Sequence, residues 1–413
     1  MEHPTRIVIA GGGVAALEAV IALRALVGAE PWITMVAPNN DFVYQPLSVG
    51  EPFALGDTPR LPLEQFAGDL DIEWRKAAVK EIGADRAVLL DGGGWVAYDK
   101  LIVAMGAPRE AVYEHATTFR GEHDVQSVHG LVQDVEMGDI RRVAFVVPAG
   151  VAWSLPLYEL ALMTARRAFE MNMDVELTLI TPEDRPLGVF GALASSDVER
   201  RLDDAGIRLV PRTVAEIPSK GSILLQPEGE RIECDRVIAL PVSRGPAIPG
   251  LPSDDGFIPI DSYARVAGMT GVYAAGDGAN FPLKQGGLAC QQADAAVEHI
   301  AFTLGRVEEP QPFRPVLRGQ LLTGERPQFM RRDVTARRDS TEESGEQPLW
   351  WPSTKVAGKY LAAYLADHEG DRHAADVVAP GVRRRAFLTP ATDDGMEIPL
   401  RGYEYAHWGP VSP

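Results

Sequence analysis

A glycine-rich turn near the start of the chain is the feature that most constrains its fold. A short apolar run, residues 6–10, leads into the spacing Gly-x-Gly-x-x-Ala, and helical periodicity follows through Leu23. Gly11 permits a tight turn, Gly13 lets backbone N–H groups approach a pyrophosphate, and Ala16 lets helix and strand pack closely. A second apolar strand at 32–36 completes a βαβ unit. We therefore predict a dinucleotide site, with an ordinary glycine-rich turn as the alternative, and the predicted contacts are Gly11, Gly13, Val14, Ala15 and Ala16.

The strand–helix–strand pattern starts again at residue 142. Residues 143–147 and 175–180 are predicted strands on either side of a helix at 155–171, and 237–240 is a further buried strand. Short strands with turn signals at 72–98 predict an inserted hairpin. We therefore predict an α/β fold with two Rossmann-like, doubly wound dinucleotide-binding domains plus a C-terminal interface segment.

The predicted domain boundaries follow from these repeats. The first domain is discontinuous and comprises residues 1–110 and 246–310, and the second comprises 111–245. Residues 311–413 form the C-terminal interface segment. Within that segment, residues 331–347 are charged and poor in apolar side chains, so we expect an exposed loop there.

Composition excludes several function classes. The chain has 413 residues and a net charge of −18, which argues against a nucleic-acid-binding surface. No run approaches the roughly 20 apolar residues of a transmembrane helix. Two cysteines cannot form a disulfide framework, which indicates a reducing compartment. Because the first predicted strand begins at Arg6, we expect no secretory leader. We expect a cytoplasmic enzyme, and a homodimer stays an open alternative.

The ribose-binding acid that normally follows the second strand is missing. That position is Ala37, followed by Pro38 and Asn39. An Asn amide can bond a ribose hydroxyl, though more weakly than a carboxylate. We predict contacts from Ala37 and Asn39, with a surface turn as the alternative for Asn39.

A later acidic residue bears on which dinucleotide binds. Gly276 and Asp277 follow the apolar residues 272–275. An Asp there could hold a hydroxylated chain such as ribitol, while neighbouring N–H groups face phosphate. The alternative interpretation of Asp277 is a helix N-cap.

Four segments, in this order, carry a family resemblance: 11–18, 42–47, 104–107 and 272–277. Together they resemble the FAD-dependent oxidoreductases with two dinucleotide domains, related to the pyridine nucleotide-disulfide oxidoreductases, in the branch of sulfide:quinone oxidoreductases and type II NADH dehydrogenases. The resemblance implies FAD as cofactor. It also implies that Gly13, Gln45, Pro46, Asp277 and residues 284–290 line the cofactor, and that the chain crosses between domains at Ala104, Met105 and Gly106.

The segment after Asp277 carries further candidates. Gly286 and Gly287 precede a helical run, and the resemblance implies that this helix end, with Lys284, Gly287 and Leu288, faces the flavin. Its dipole and Lys284 would stabilise negative charge that develops on reduction. The alternative for Lys284 is a solvated surface charge. Cys290 could be a redox partner, but we favour inert packing, and Cys234 is predicted to be structural.

Aromatic and basic residues mark the C-terminal segment. The resemblance implies that this segment covers the flavin. A pocket for a flat acceptor such as a quinone could then be lined by Trp350, Trp351, Lys355 and Tyr360. The alternative is an aromatic stripe that buries a third domain. Our candidate catalytic residues are Lys284, Lys355 and Trp351. We predict no metal site.

The turn of the second βαβ unit is atypical. Pro148 replaces the first small residue and offers no N–H to a phosphate, and the bulky Trp153 lies where close packing is needed. Productive NAD(P)H binding is therefore disfavoured. Sulfide oxidation is disfavoured as well, because Ser154 stands near the position where the resemblance implies a catalytic cysteine.

The function predicted from the sequence is an FAD-dependent oxidoreductase. It takes electrons from an unidentified small-molecule reductant and passes them to a small acceptor, with a quinone as one candidate. The alternatives are an NAD(P)H:acceptor oxidoreductase with an atypical nicotinamide site and a non-catalytic flavoprotein that senses redox state.

Overall fold

The computed structural model describes residues 3–334 and 341–375 and shows a mixed α/β architecture. The helices are α1 (Val14–Leu26), α2 (Leu63–Asp69), α3 (Val125–Met137), α4 (Leu155–Glu170), α5 (Ala192–Asp204), α6 (Gly286–Thr303) and α7 (Leu361–Ala375). The strands are β1 (Arg6–Ala10), β2 (Trp32–Ala37), β3 (Asp41–Val43), β4 (Arg60–Pro62), β5 (Glu73–Lys76), β6 (Val79–Gly83), β7 (Ala87–Leu90), β8 (Trp95–Ala97), β9 (Lys100–Val103), β10 (Arg109–Glu110), β11 (Thr117–Thr118), β12 (Arg142–Val146), β13 (Glu176–Ile180), β14 (Ile207–Val210), β15 (Val214–Ser219), β16 (Ser222–Gln226), β17 (Arg231–Glu233), β18 (Arg236–Ala239), β19 (Val242–Ser243), β20 (Val272–Ala274), β21 (Val316–Leu321), β22 (Gln328–Asp333) and β23 (Glu342–Gly345).

The first sheet has five parallel strands in the order β20-β9-β1-β2-β5. Four of the five residues of β1 are buried, as its continuous apolar run predicts for a strand covered on both faces. Helices α1 and α6 pack against each other over one hydrophobic core of this unit. The antiparallel sheet β6-β7-β8 confirms the hairpin insertion predicted at 72–98.

The second sheet repeats this design in the order β11-β18-β12-β13-β14, again with parallel neighbours. Helix α4 follows β12, as the sequence predicts, and packs over a second hydrophobic core. The α/β fold with two doubly wound units is therefore confirmed. Strand β20 joins the first sheet although the second unit intervenes in sequence. The boundaries at 110, 246 and 310 stay predictions.

The C-terminal part differs from the sequence-based expectation. Most of the described part of 331–347, expected to be an exposed loop, belongs to the antiparallel sheet β21-β22-β23. Its charged residues pair across strands, as Arg331 does with Glu343, so high charge here is compatible with pairing. The expectation of a loop is wrong for these strands, and residues 335–340 and 376–413 of the predicted segment lie outside the described residues. Among the described helices none is long and apolar enough to cross a membrane.

Candidate active site

A cavity of about 650 Å³ lies at the carboxyl ends of four strands of the first sheet. The segments that follow β1, β2, β9 and β20 all border it, and the turn after β12 closes another side. Ligands of open α/β sheets bind at this edge. The predicted cofactor residues that line the cavity are Gly11, Gly13, Val14, Ala15, Ala37, Asn39, Gln45, Pro46, Ala104, Met105, Gly106, Gly276, Asp277 and Lys284.

The glycine turn is shaped as its sequence predicts. Gly11 has φ +134°, and a Cβ there would overlap the Ala104 carbonyl oxygen, so only glycine lets β1 and the chain after β9 approach this closely. A Cβ on Gly13 would meet no atom within 4 Å, so the space before it is open. Gly13 is the N-cap of α1, and no side chain caps that helix end. Its free first-turn N–H groups and positive dipole end suit a pyrophosphate.

The remaining predicted residue of this turn, Ala16, does not line the cavity. It is fully buried in the first core. Its position agrees with the close helix–strand packing predicted for it, rather than with a direct contact to a ligand.

The end of β2 carries no acid, but one lies close by. Asn39 is exposed and lines the cavity together with Ala37. Asp41, the first residue of β3, lines it as well and brings a carboxylate that our sequence analysis did not identify. The only signal in the sequence was its position two residues after Asn39.

Asp277 does not cap a helix. Helix α6 begins at Gly286 and its N-cap is Gln285, whose Oε1 accepts a hydrogen bond of 2.8 Å from the Leu288 N–H. The Asp277 carboxylate instead lines the cavity, 3.7 Å from Nη2 of Arg109. Arg109 also lines the cavity, and sequence analysis missed it although it follows the predicted crossover at 104–106.

Lys284 is tied into the site rather than solvated. Its ammonium donates to the Ala279 carbonyl and lies 3.9 Å from the centre of the Phe257 ring. Burial lowers the pKa of Lys284 to about 8, against the opposing effect of Asp277. The lysine therefore provides a positive charge that is only partly shielded by water.

Two predicted residues of the α6 end do not line the cavity. Gly287 is buried under its own N-cap side chain, and Leu288 points into the second core. Successive helical residues are rotated by about 100°, so only Gln285, Gly286 and Ala289 border the cavity here. Gly286 is needed for a different reason than predicted, because a Cβ there would lie 2.9 Å from the Val356 side chain.

Lys355 lines the cavity opposite the glycine turn and forms a buried ion pair with Glu159 of α4. Glu159 is completely buried and also accepts a hydrogen bond of 2.8 Å from the Leu322 N–H. Burial raises the pKa of Glu159 and lowers that of Lys355, while each partner opposes the other's shift. Burial therefore opposes the charged forms of both side chains, and the ion pair counteracts this effect.

Neither Glu159 nor the neighbouring Gln320 was identified from the sequence. Gln320 is buried in β21 and lines the cavity next to Lys355. The two residues come from distant segments, and no local pattern links them to Lys355.

Trp351 is not part of the cavity wall. It is 50% exposed and is absent from the cavity lining. Trp350 packs edge-to-face on Phe329 at 5.3 Å and donates its indole N–H to Thr354, and Tyr360 is buried in the first core. Trp350 and Tyr360 therefore pack within the C-terminal part, whereas Trp351 lies outside the cavity lining and its catalytic role stays a prediction.

The turn of the second unit borders the same cavity with Trp153 and Pro156. Trp153 packs on Phe190 at 5.7 Å. Just beyond β13 lies Glu183, whose carboxylate accepts hydrogen bonds from three hydroxyl groups, those of Ser154, Tyr158 and Thr181. An acid near this strand end could grip a nicotinamide-dinucleotide ribose, but Glu183 is already engaged within the protein.

Both cysteines are free thiols buried outside the cavity. Burial raises the pKa of Cys290 well above its usual value, and Glu18 and Asp294 add to the shift. A thiol in that state is a poor nucleophile, in agreement with the inert role favoured from the sequence.

The chain is similar to known proteins in both sequence and structure. The family model of pyridine nucleotide-disulphide oxidoreductases matches residues 5–299. The ferredoxin–NAD(+) reductase component of the biphenyl dioxygenase system of Paraburkholderia xenovorans is 26% identical over 68% of this chain and 69% of its own. The internal alternative NAD(P)H-ubiquinone oxidoreductase A1 of Solanum tuberosum is 27% identical over 45% of this chain and 42% of its own. The sulfide:quinone oxidoreductase structure from Aquifex aeolicus matches with TM-score 0.76 and 17% identity over 91% of this chain and 93% of its own.

Proposed function

The chain belongs to the pyridine nucleotide-disulphide oxidoreductase family and is an FAD-dependent oxidoreductase. We propose that it transfers electrons from a small reductant to a quinone bound beside Lys355 and Gln320. The family membership confirms the resemblance inferred from the sequence. When bound, FAD supplies the two-electron chemistry, and the protein contributes binding, orientation and electrostatics.

In this proposal, residues from several segments of the cavity lining bind the cofactor. The N–H groups at the start of α1 bind the pyrophosphate in the space left by Gly13. Asp277 accepts hydrogen bonds from ribityl hydroxyls, and Asn39 with Asp41 bonds the adenosine ribose. Lys284, beside Asp277, holds positive charge near the reducible ring.

The buried Lys355–Glu159 pair is the observation that carries the acceptor assignment. Reduction of a quinone to a quinol takes up two electrons and two protons, and charge develops on the two carbonyl oxygens. The Lys355 ammonium can donate a hydrogen bond and then a proton to one such oxygen, and Glu159 holds the lysine in place. The pair lies in an apolar setting, where a charge acts more strongly than in water. Gln320 adds an amide donor on the same wall.

The proposal is tested by anaerobic reoxidation. The purified holoprotein is photoreduced and mixed with a water-soluble quinone while the oxidised-flavin absorbance is followed. Rapid return of that absorbance with formation of one quinol per flavin supports the proposal. Reoxidation by one-electron dyes but not by any quinone would contradict it.

NAD(P)H as the reductant is the second candidate, because two of the relatives are named for reactions with NAD(+) or NAD(P)H. Pro148 and the internally bonded Glu183 count against an ordinary nicotinamide site. Anaerobic mixing with NADH and NADPH distinguishes the two cases. Fast bleaching of the flavin favours this candidate, and an unchanged spectrum favours another small reductant.

Sulfide is not proposed as the reductant. Ser154, near the expected cysteine position, donates its hydroxyl to Glu183, and the two cysteines of the chain are buried outside the cavity. No thiol is therefore available to form a polysulfide bridge. The cytoplasmic location and the homodimer stay predictions from the sequence.

A further inference from the structure

A second, much smaller cavity meets the main one at Lys355 and Gln320, and both residues line the two cavities. This crevice has a volume of about 40 Å³ and runs between the segment around Phe42–Leu47 and helix α7. A cavity that binds a benzene ring has about 150 Å³, whereas one water needs only about 10–15 Å³. The crevice is therefore too small for a quinone ring but has room for roughly three waters.

His368 of α7 also lines the crevice. Its side chain is 19% exposed, compared with 6% for Lys355 and none for Glu159. Lys355 is ion-paired with Glu159 and lines the crevice together with His368. Of these two titratable groups, the His368 side chain reaches solvent and the Glu159 side chain does not. The Thr354 hydroxyl and the Gln320 amide also line the crevice and offer hydrogen-bond partners of the kind that ordered water requires.

Both ring nitrogens of His368 lie within hydrogen-bond distance of an oxygen atom. Nδ1 lies 2.9 Å from the Tyr364 carbonyl oxygen, and Nε2 lies 3.2 Å from Oδ2 of Asp69 in α2. Because a carbonyl and a carboxylate oxygen both accept hydrogen bonds, each ring nitrogen can carry a proton here. The Tyr364 hydroxyl donates to the same Asp69 oxygen at 3.0 Å, which holds the carboxylate in position.

Other charged groups near this pair come from β4, from the segment of Lys355 and from α7 itself. Arg60 of β4 lines the crevice and is ion-paired with Glu122. Lys355 lies at the inner end, and Asp367 precedes His368 on α7. Asp69 is the carboxylate that contacts the imidazole directly.

We infer that the His368–Asp69 pair takes up protons from solvent and passes them through water in the crevice to Lys355 during acceptor reduction. The inference rests on the proposed quinone site. Lys355 gives a proton to a quinone carbonyl oxygen as the two electrons arrive, and it regains a proton from the crevice. In the overall balance, one of the two protons would leave the reduced cofactor with the electron pair and the other would come from Lys355, so that quinone, two electrons and two protons give quinol. His368 is a positioning and relay residue because it does not touch the acceptor.

The test compares an acceptor that needs protons with one that does not. Photoreduced wild type, His368→Gln and Asp69→Asn are mixed with a water-soluble quinone and, separately, with ferricyanide at one fixed ionic strength. We expect the ratio of the quinone rate to the ferricyanide rate to fall about tenfold to a hundredfold in both variants, and to fall further as pH rises. Added imidazole should restore the ratio of His368→Gln. His115→Gln, at an exposed site outside the crevice, is the control and should keep the wild-type ratio.

The outcomes separate this inference from the proposed function. If the wild type itself does not reduce quinones, the proposed function fails. If the wild type reduces quinones and His368→Gln keeps the wild-type ratio at every pH, the relay is wrong while the quinone site stands. Loss of both rates in the two variants, without rescue by imidazole, would show a structural role and also overturn the relay.

Discussion

At the scale of single residues, the site combines positions with strong local signals and positions with none. Gly11, Gly13 and Asp277 could be predicted because each requirement is local: a turn, an open approach or an acid beside a strand end. Glu159 and Gln320 could not, because only tertiary packing brings them to Lys355. Trp351 was assigned through the resemblance and lies outside the cavity lining, because aromatic character alone does not indicate which side chains reach a cavity.

The Asp277→Ala variant tests the cofactor assignment at this scale. The charged acceptor is lost from the cavity, and a hydrogen bond to a charged group contributes about 1.5–3 kcal/mol. FAD should therefore bind about tenfold to a hundredfold more weakly. Flavin content per chain after purification and a reconstitution titration measure this. Asp203→Ala, on the exposed end of α5, is the control, and wild-type FAD affinity in Asp277→Ala would remove Asp277 from the site.

The Asp294→Asn variant tests a buried carboxyl of α6. Burial, and then the neighbouring Glu18, raise the pKa of Asp294 well above its usual value. The folded state therefore holds a proton that the unfolded chain releases near pH 4, so wild-type stability should fall as pH rises from there toward the folded-state pKa. An Asn side chain keeps an N–H donor for Glu18 but does not ionise. The variant should therefore lack the pH dependence of stability that Asp294 causes. Thermal melts should show stabilisation of the variant that is larger at pH 8 than at pH 5, and an equal change at both pH values would refute the shifted pKa.

At the scale of elements, the strands and helices of the two βαβ units could be predicted because continuous apolar runs and helical periodicity are local properties. The sheet β21-β22-β23 could not, because its charged strands gain stability from cross-strand pairs such as Arg331–Glu343. The orientation of α6 relative to the cavity also escaped prediction, since rotation about the helix axis depends on the N-cap Gln285.

Helix α7 offers a prediction at the element scale. Glu18 of α1 accepts hydrogen bonds from the N–H groups of Tyr360 and Leu361 at 2.8 and 2.6 Å, which holds the start of α7. Glu18→Gln leaves one acceptor oxygen for two N–H groups and should cost about 1.5–3 kcal/mol locally. Hydrogen exchange in residues 359–368 should become faster while exchange in β12 and β13 stays as in the wild type. Unchanged protection of α7 would show that other contacts suffice.

At the scale of the whole molecule, the net charge of −18 shapes encounters with charged reactants. A trivalent anion such as ferricyanide is repelled by this field, and added salt screens the repulsion. Its rate of reaction with the reduced protein should therefore rise several-fold between low and physiological ionic strength, whereas the rate with a neutral quinone should change little. A salt-independent ferricyanide rate would indicate a locally positive entrance that outweighs the net charge.

The proposed function requires that the acceptor is reduced beside Lys355, in the cavity proposed to bind FAD. Stopped-flow reoxidation of photoreduced Lys355→Met by a water-soluble quinone tests this most directly, with Lys359→Met, whose lysine lies outside the cavity lining, as the matched control. We predict that Lys355→Met retains FAD but reacts about a hundredfold more slowly with the quinone, because the buried proton donor is gone. Reoxidation of FAD-loaded Lys355→Met at the rate of the wild type would contradict the proposed site.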